Sequence, residues 1–256
     1  MTALVLTYHA IEDGPGPLFV SPGLFETHLD AIQESGASVL TVGQLAAALR
    51  QARLPERAVA ISFDDAFASV AGVAAPLLLE RGLTATVFCV AGYLGRTNNW
   101  PSQPTAVARR PLATADELGE VHRAGFELGA HGFDHAPLRG GDAELLDREV
   151  VDARTALEEA VETPVTTFAY PYGAGPSRQA AALVRGTYSA ACTARQALVR
   201  PGTDIFALPR VDAHYLRRPD LLRRALRGEL GPYLSARFLG ARARRALRRD
   251  FVEVGT

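Results

Sequence analysis

The segment Ala58-Val-Ala-Ile-Ser-Phe-Asp64-Asp65 decides how this chain is read. Its first six residues are apolar or small on both faces and too few for a helix. That pattern suits a strand of a parallel sheet covered on both sides. Two carboxylates then stand where the strand ends. Five other short runs share this build, at residues 4–8, 85–90, 126–131, 165–170 and 188–192. Longer helical patterns lie between them, at 22–35, 42–53, 67–81, 114–124, 142–161 and 177–185. Several carry end signals: Ser21 precedes Pro22, Gly36 and Gly82 follow helix ends, and Thr114 with Glu117 forms a capping-box pattern. Strands alternating with helices predict an α/β fold with right-handed crossovers, either a barrel or an open doubly wound sheet.

The 256 residues are 48% hydrophobic and 21% charged, with a net charge of −1, as expected of a globular chain able to bury a sizeable core. Cys89 and Cys192 sit in apolar runs and read as buried free thiols, not as a disulfide framework. All 27 basic residues are arginine, which excludes lysine-centred chemistry. No run reaches the roughly 18–20 apolar residues of a membrane helix. The N-terminus reads as a buried strand without the basic region of a signal peptide, so the expected location is cytoplasmic. The near-zero charge hides a division. Residues 210–256 hold twelve arginines and five acids, a balance of +7, whereas residues 1–209 carry −8.

Chemically potent residues follow four of the strands: Tyr8-His9, Asp64-Asp65, His131-Gly-Phe-Asp-His135 and Tyr170-Pro-Tyr-Gly173. In a parallel α/β architecture the C-terminal strand ends converge on one face, where sites are built. Two carboxylates in one pocket would not ionise alike. Either a metal takes one and leaves the other as a base, or they cap the helix that follows. Histidines four apart lie on one face of a helical turn and can share an ion, or they are a surface pair. Two histidines and an aspartate suit a divalent transition metal. No glutamate follows the first histidine, so a base would come from another strand. His28 and His122 fall in amphipathic helix patterns and are expected at the surface or its boundary. His9 and His214 remain as candidate proton donors.

Ser62-Phe-Asp-Asp65, His131-Gly-Phe-Asp-His135 and Tyr170-Pro-Tyr-Gly173, in this order and spacing, resemble the polysaccharide deacetylases, the NodB-homology domain of carbohydrate esterase family 4. The resemblance extends from about residue 3 to residue 211. It implies a distorted (β/α) barrel with fewer than eight full units and a metal-dependent N-deacetylase of acetylated amino sugars. Asp65, His131 and His135 would bind the metal, usually zinc, with Asp64 as general base. The backbone amide of Tyr172 would hold the oxyanion, in a substrate-binding segment that includes Tyr170 and Pro171. Two departures stand out. Gly132 occupies a place where the family usually has Ser or Thr, and Ala169 one where it often has an arginine. Arg210 is the candidate to supply that charge. The family's late histidine motif has no clear match, leaving His214 first and His9 second as general acid.

The chain reads as one domain, 1–256, in which 212–256 is an arginine-rich extension with helices at 219–227 and 232–249. That extension either packs on the barrel with a solvated basic face or meets an anionic membrane or anionic substrate. No nucleic-acid partner is expected, because aromatic interleaving and known motifs are lacking. The expected substrate is a cytoplasmic N-acetylated precursor or small glycoside. The alternatives are an allantoinase-like hydrolase of a small non-sugar amide and a catalytically silent glycan-binding domain.

Overall fold

The structure, a computed structural model, describes residues 1–173, 175–230 and Tyr233. Its strands are β1 (Thr2–Tyr8), β2 (Ala10–Ile11), β3 (Phe19–Val20), β4 (Ser38–Leu40), β5 (Arg57–Phe63), β6 (Thr86–Cys89), β7 (Glu127–Ala130), β8 (Thr167–Ala169), β9 (Ala190–Cys192) and β10 (Val211–Asp212). Its α-helices are α1 (Pro22–Glu34), α2 (Val42–Arg50), α3 (Ala75–Leu79), α4 (Ala115–Arg123), α5 (Ala143–Asp147), α6 (Ala153–Val161), α7 (Arg178–Thr187) and α8 (Pro219–Leu226). The main sheet runs β10-β1-β5-β6-β7-β8-β9 with every pairing parallel, and β4 pairs beside the first half of β5. The segment 208–212 touches both sheet edges. Leu208 bridges Cys192, while Val211 and Asp212 pair with Leu6 and Thr7. The sheet thus curls into the expected distorted barrel. All six expected strands are present. β4 and β10 were too short for any periodicity to announce them.

Side-chain alternation divides the core in two. Ala3, Val5, Ala58, Ala60, Phe88, Ala169 and Cys192 cluster on one face with Val42, Leu45, Leu54, Val199 and Leu208. These are the barrel-side residues. Most are small, and Phe88 fills the space they leave: a Cβ on Gly129 would overlap its ring. The alternate residues Leu4, Leu6, Tyr8, Val59, Ile61, Phe63, Val87, Leu128, Phe168 and Tyr170 pack outward beneath the helices, with Phe25, Leu29 and Ile32 of α1 among them. Carried past the strand ends, the inner parity falls on His9, Asp64, His131 and Arg210. The outer parity falls on Tyr170.

The helix signals act as read. Ser21 accepts from the Leu24 N–H, Thr114 and Glu117 form a reciprocal box, and Gly36 and Gly82 adopt φ of 63° and 64°. Two long patterns are broken. Residues 67–81 become a π-type turn, Val70–Ala74, ahead of α3, because Pro76 has no N–H to continue the α ladder. Residues 142–161 split into α5, a π-type turn at Arg148–Asp152, and α6.

His28 corrects its expectation. It is fully buried, and its Nδ1 lies 2.9 Å from the Tyr8 hydroxyl where α1 packs on β1. Burial lowers its pKa to about 4, so it is a neutral core residue. His122 is a boundary residue, its ring bridging the Phe126 carbonyl and the Thr163 hydroxyl, each at 2.9 Å. Both cysteines are free and buried, with thiol pKa values pushed up to about 12 by burial.

α8 matches the expected helix 219–227, whereas the helix expected at 232–249 lies outside the described residues apart from Tyr233. Within the described part, the basic charge is matched locally. Arg218 pairs with Asp220, Arg223 with Glu34, and Arg227 with Glu229, at 3.0, 3.1 and 2.8 Å. Arg217 donates to the Phe19 carbonyl. Among the described residues no helix is long and apolar enough to cross a membrane.

Candidate active site

Neighbouring residues of a strand face opposite ways, so two adjacent aspartates need a backbone device to share a pocket. Asp64 continues the ladder, its N–H donating to the Tyr8 carbonyl at 2.9 Å, and keeps barrel-side parity. Asp65 and Ala66 then turn left-handed, with φ of 70° and 54°. That turn brings the Asp65 carboxylate to the same side as Asp64. Non-glycine residues hold such angles only where their surroundings impose them.

His131 closes β7, its N–H donating to the Cys89 carbonyl. Its Nδ1 lies 2.7 Å from the Ala169 carbonyl, which can only accept. The proton therefore sits on Nδ1, and the Nε2 lone pair faces the site. His135 reaches the same point through a loop with left-handed residues at Gly132 (φ 82°) and His135 (φ 56°). The pair is thus joined by a loop, where the four-residue spacing had suggested a helical turn. Trp100 stacks on the His135 ring at 4.5 Å, and Tyr172 meets it edge-on at 4.5 Å.

Three donor atoms converge. His131 Nε2 and His135 Nε2 are 3.2 Å apart, and Asp65 Oδ1 lies 3.7 and 3.4 Å from them. Ligands about 2.0–2.2 Å from a tetrahedral ion would be separated by roughly 3.3–3.6 Å. All three residues are buried, and Asp65 Oδ1 has no hydrogen-bond partner among the described residues. A buried carboxylate oxygen left unpaired beside two imidazole nitrogens is unfavourable by itself. A divalent cation satisfies all three at once, so the residues fit a metal ion.

Asp64 is held differently. Arg210 grips it with two prongs, Nη1 to Oδ1 at 2.5 Å and Nη2 to Oδ2 at 2.8 Å. The guanidinium is itself buried, donates from Nε to the Thr193 carbonyl, and lies over the Phe88 ring. Burial alone would raise the Asp64 pKa. Arg210 is the largest of several opposing influences that together outweigh burial and hold the carboxyl well below the usual carboxylate range. Asp65, without such a partner, is raised by burial. The two acids are therefore split in the expected sense, and helix capping is not their role: Asp64 is engaged by Arg210 and the turn that follows has no side-chain cap.

These groups open into a cavity of about 490 Å³. His9, Trp100, Tyr172, Asp212 and Tyr215 form its walls, with residues 15–19, 103–104 and 106–108. His214 is not in the wall. In the 3₁₀ turn Ala213–Leu216, side chains three apart share a face, so Asp212 and Tyr215 look into the cavity and His214 looks away. Tyr170 is also corrected. Its outer-face parity buries it against Phe168, with ring centroids 5.3 Å apart, and burial pushes its pKa up to about 12. Pro171 is buried and does not line this cavity. Of that segment Tyr172 and Gly173 line the site, Tyr172 in a left-handed conformation (φ 57°) with its hydroxyl donating to the Ser102 carbonyl at 2.7 Å.

Trp100, Tyr215 and Glu149 were not anticipated. Glu149 had a signal: three residues after Leu146 and next to Val150, it falls on the buried side of its helical pattern. Its carboxylate accepts from the backbone N–H groups of Phe133, Asp134 and Ala136 at 3.2, 2.9 and 3.1 Å.

Comparison with known proteins identifies the family. YxkH of Bacillus subtilis (strain 168), a protein named for the polysaccharide deacetylases, is 24% identical over 208 residues, covering 81% of this chain and 70% of YxkH. The poly-beta-1,6-N-acetyl-D-glucosamine N-deacetylase of Staphylococcus epidermidis is 22% identical over 196 residues, 73% of this chain and 65% of that protein. This chain thus spans just under two thirds of the staphylococcal protein's length. Among solved structures, the Streptococcus pyogenes deacetylase PplD superposes with a TM-score of 0.76 at 21% identity, covering 88% of this chain and 98% of that one. The family profile described as polysaccharide deacetylase matches residues 51–190. Because that match takes in more than half of the sequence, the chain belongs to the polysaccharide deacetylases, a family of hydrolases.

Proposed function

We propose that this protein is a divalent-metal N-deacetylase that hydrolyses the acetamide of an N-acetylated amino sugar within a polysaccharide, giving acetate and a free amine. The observation that carries the reading is the meeting, in one cavity, of a three-donor cluster and an ionised carboxylate outside it. Asp65, His131 and His135 would hold the ion, and two imidazoles with a carboxylate suit zinc. A bound ion supplies Lewis acidity, polarising the acetamide carbonyl and easing ionisation of water.

The remaining steps belong to this chain's own residues. Asp64 takes the proton of the attacking water, and Arg210 keeps that carboxylate ionised and aimed. The backbone amide of Tyr172 faces the oxygen that gains charge as the carbonyl carbon becomes tetrahedral. His9, in the cavity wall with a buried Nδ1 that has no hydrogen-bond partner among the described residues, gives a proton to the departing nitrogen as the C–N bond breaks. It displaces His214, whose ring is turned from the cavity. Trp100, stacked on His135, and Tyr172, edge-on to it, hold the ring in place. Tyr172 and Tyr215 offer apolar ring faces against which a sugar can lie.

The staphylococcal relative's name supports a polymeric β-1,6-linked N-acetylglucosamine over a small glycoside. The intact base and donor set disfavour a silent glycan-binding domain. Incubation with β-1,6-linked N-acetylglucosamine oligomers should release acetate and free amine in equal amounts, and allantoin should be untouched. Turnover of allantoin with no acetate from the oligomers would replace this reading with the small-amide one.

A further inference from the structure

The loop that carries both imidazoles is poorly suited to hold itself in place. Gly132 and His135 are left-handed, and residues 131–135 contain no helix or strand beyond the end of β7. Such a loop keeps one geometry only if its surroundings impose it. No side chain at position 132 can do so, because a Cβ there would collide with Glu149 Oε2 and crowd Pro171 Cγ. What occupies that space is the Glu149 carboxylate.

Glu149 is fully buried and sits in the π-type turn Arg148–Asp152. Its two oxygens collect three loop amides, those of Phe133, Asp134 and Ala136. Charge-assisted bonds to backbone N–H groups are among the stronger hydrogen bonds in proteins, and here all three converge on one carboxylate. The amides flank His135 on both sides, so the clamp governs where its ring emerges. Glu149 itself lines no wall of the cavity. The neighbouring Arg148 adds an outer tie, meeting Asp134 at 2.6 Å and lying over the Phe133 ring at 4.1 Å.

We infer that Glu149 is a positioning residue for the metal-binding loop: by clamping the amides of Phe133, Asp134 and Ala136 it sets the separation of the His131 and His135 Nε2 atoms, and with it the affinity for a divalent ion. This rests on the metal reading of the site. Groups that orient metal ligands from behind are typically worth about 10–100-fold in metal affinity.

The test uses Glu149→Gln, which keeps shape but removes the charge and sets an NH₂ group against N–H donors. Zinc affinity is measured by competition with a chromophoric chelator. Cobalt-loaded protein reports ligand geometry through its visible spectrum, and amide exchange is followed in metal-free protein. Glu149→Gln should bind zinc about 10–100-fold more weakly and shift the cobalt bands. It should also lose protection at residues 133, 134 and 136 while the strands keep theirs. Glu149→Asp, which keeps the charge on a shorter arm, should recover part of the affinity and serves if the glutamine variant does not fold. Arg148→Ala, which breaks an exposed ion pair and the contact with the Phe133 ring but leaves the Glu149 bonds in place, should change affinity little. Wild-type zinc affinity and an unchanged cobalt spectrum in Glu149→Gln would overturn the inference alone. Failure of the wild-type protein to bind zinc would overturn the metal reading with it.

Discussion

Asp64→Asn is expected to lower kcat/KM for acetate release by about 10²–10⁴-fold while zinc binding persists. Asparagine matches the shape of aspartate but cannot take a proton from water. Asp64 is not one of the three converging donors, so the ion's site should survive the change. The variant should also be less stable. Arg210 is buried, and its two-pronged partner would become a neutral amide with a single acceptor oxygen. A buried cation left without its counter-charge costs several kcal/mol, about 3–5 in comparable cases. Initial rates, zinc stoichiometry and thermal midpoint, measured on one preparation, separate the effects. Activity within tenfold of wild type with zinc bound would remove Asp64 from the role of base.

Arg210→Met tests the other half of the pair, and two shifts are expected together. Burial alone raises the Asp64 pKa, and Arg210 is the largest influence opposing it. Without the guanidinium the carboxyl should titrate at higher pH, so the acid limb of the kcat/KM profile should move upward. The stability effect has a definite sign. A carboxyl with a depressed pKa in the folded state contributes stability that is present above its unfolded pKa of about 4 and is lost as pH falls through its folded value. Arg210→Met removes that contribution. The loss should be about 3–5 kcal/mol near neutral pH and should shrink in acid, where Asp64 is protonated. An unmoved acid limb, or a stability loss as large in acid as at neutral pH, would show that Arg210 does not act through Asp64.

The sequence disclosed the side of the barrel on which the chemistry lies. Alternation along β1, β5 and β7 carries His9, Asp64 and His131 inward, and the same alternation, read one residue further, would have placed Tyr170 outside. It could not disclose the left-handed turn at Asp65. Nothing local requires that angle; the pocket imposes it. The pairing of Arg210 with Asp64 spans 146 positions and depends on 208–212 closing the barrel, so no local pattern contains it, although the place left by Ala169 pointed to a missing cation. His28 was misplaced because helix periodicity marks a face, and a polar residue at its boundary can turn inward when a buried hydroxyl such as that of Tyr8 awaits it. Glu149 was hidden by its type: an acid on a helix reads as a solvated one until a loop's amides are found against it.

The central claim is that Asp65, His131 and His135 hold a catalytic ion. It is tested most directly by stripping the protein with a chelator, verifying that the metal is gone, and following acetate release from N-acetylglucosamine oligomers as zinc is returned. The stripped protein should be silent. Activity should return in proportion to zinc and level off at one equivalent per chain, and His135→Ala should show no such return. Undiminished acetate release from protein shown to be metal-free would contradict the account.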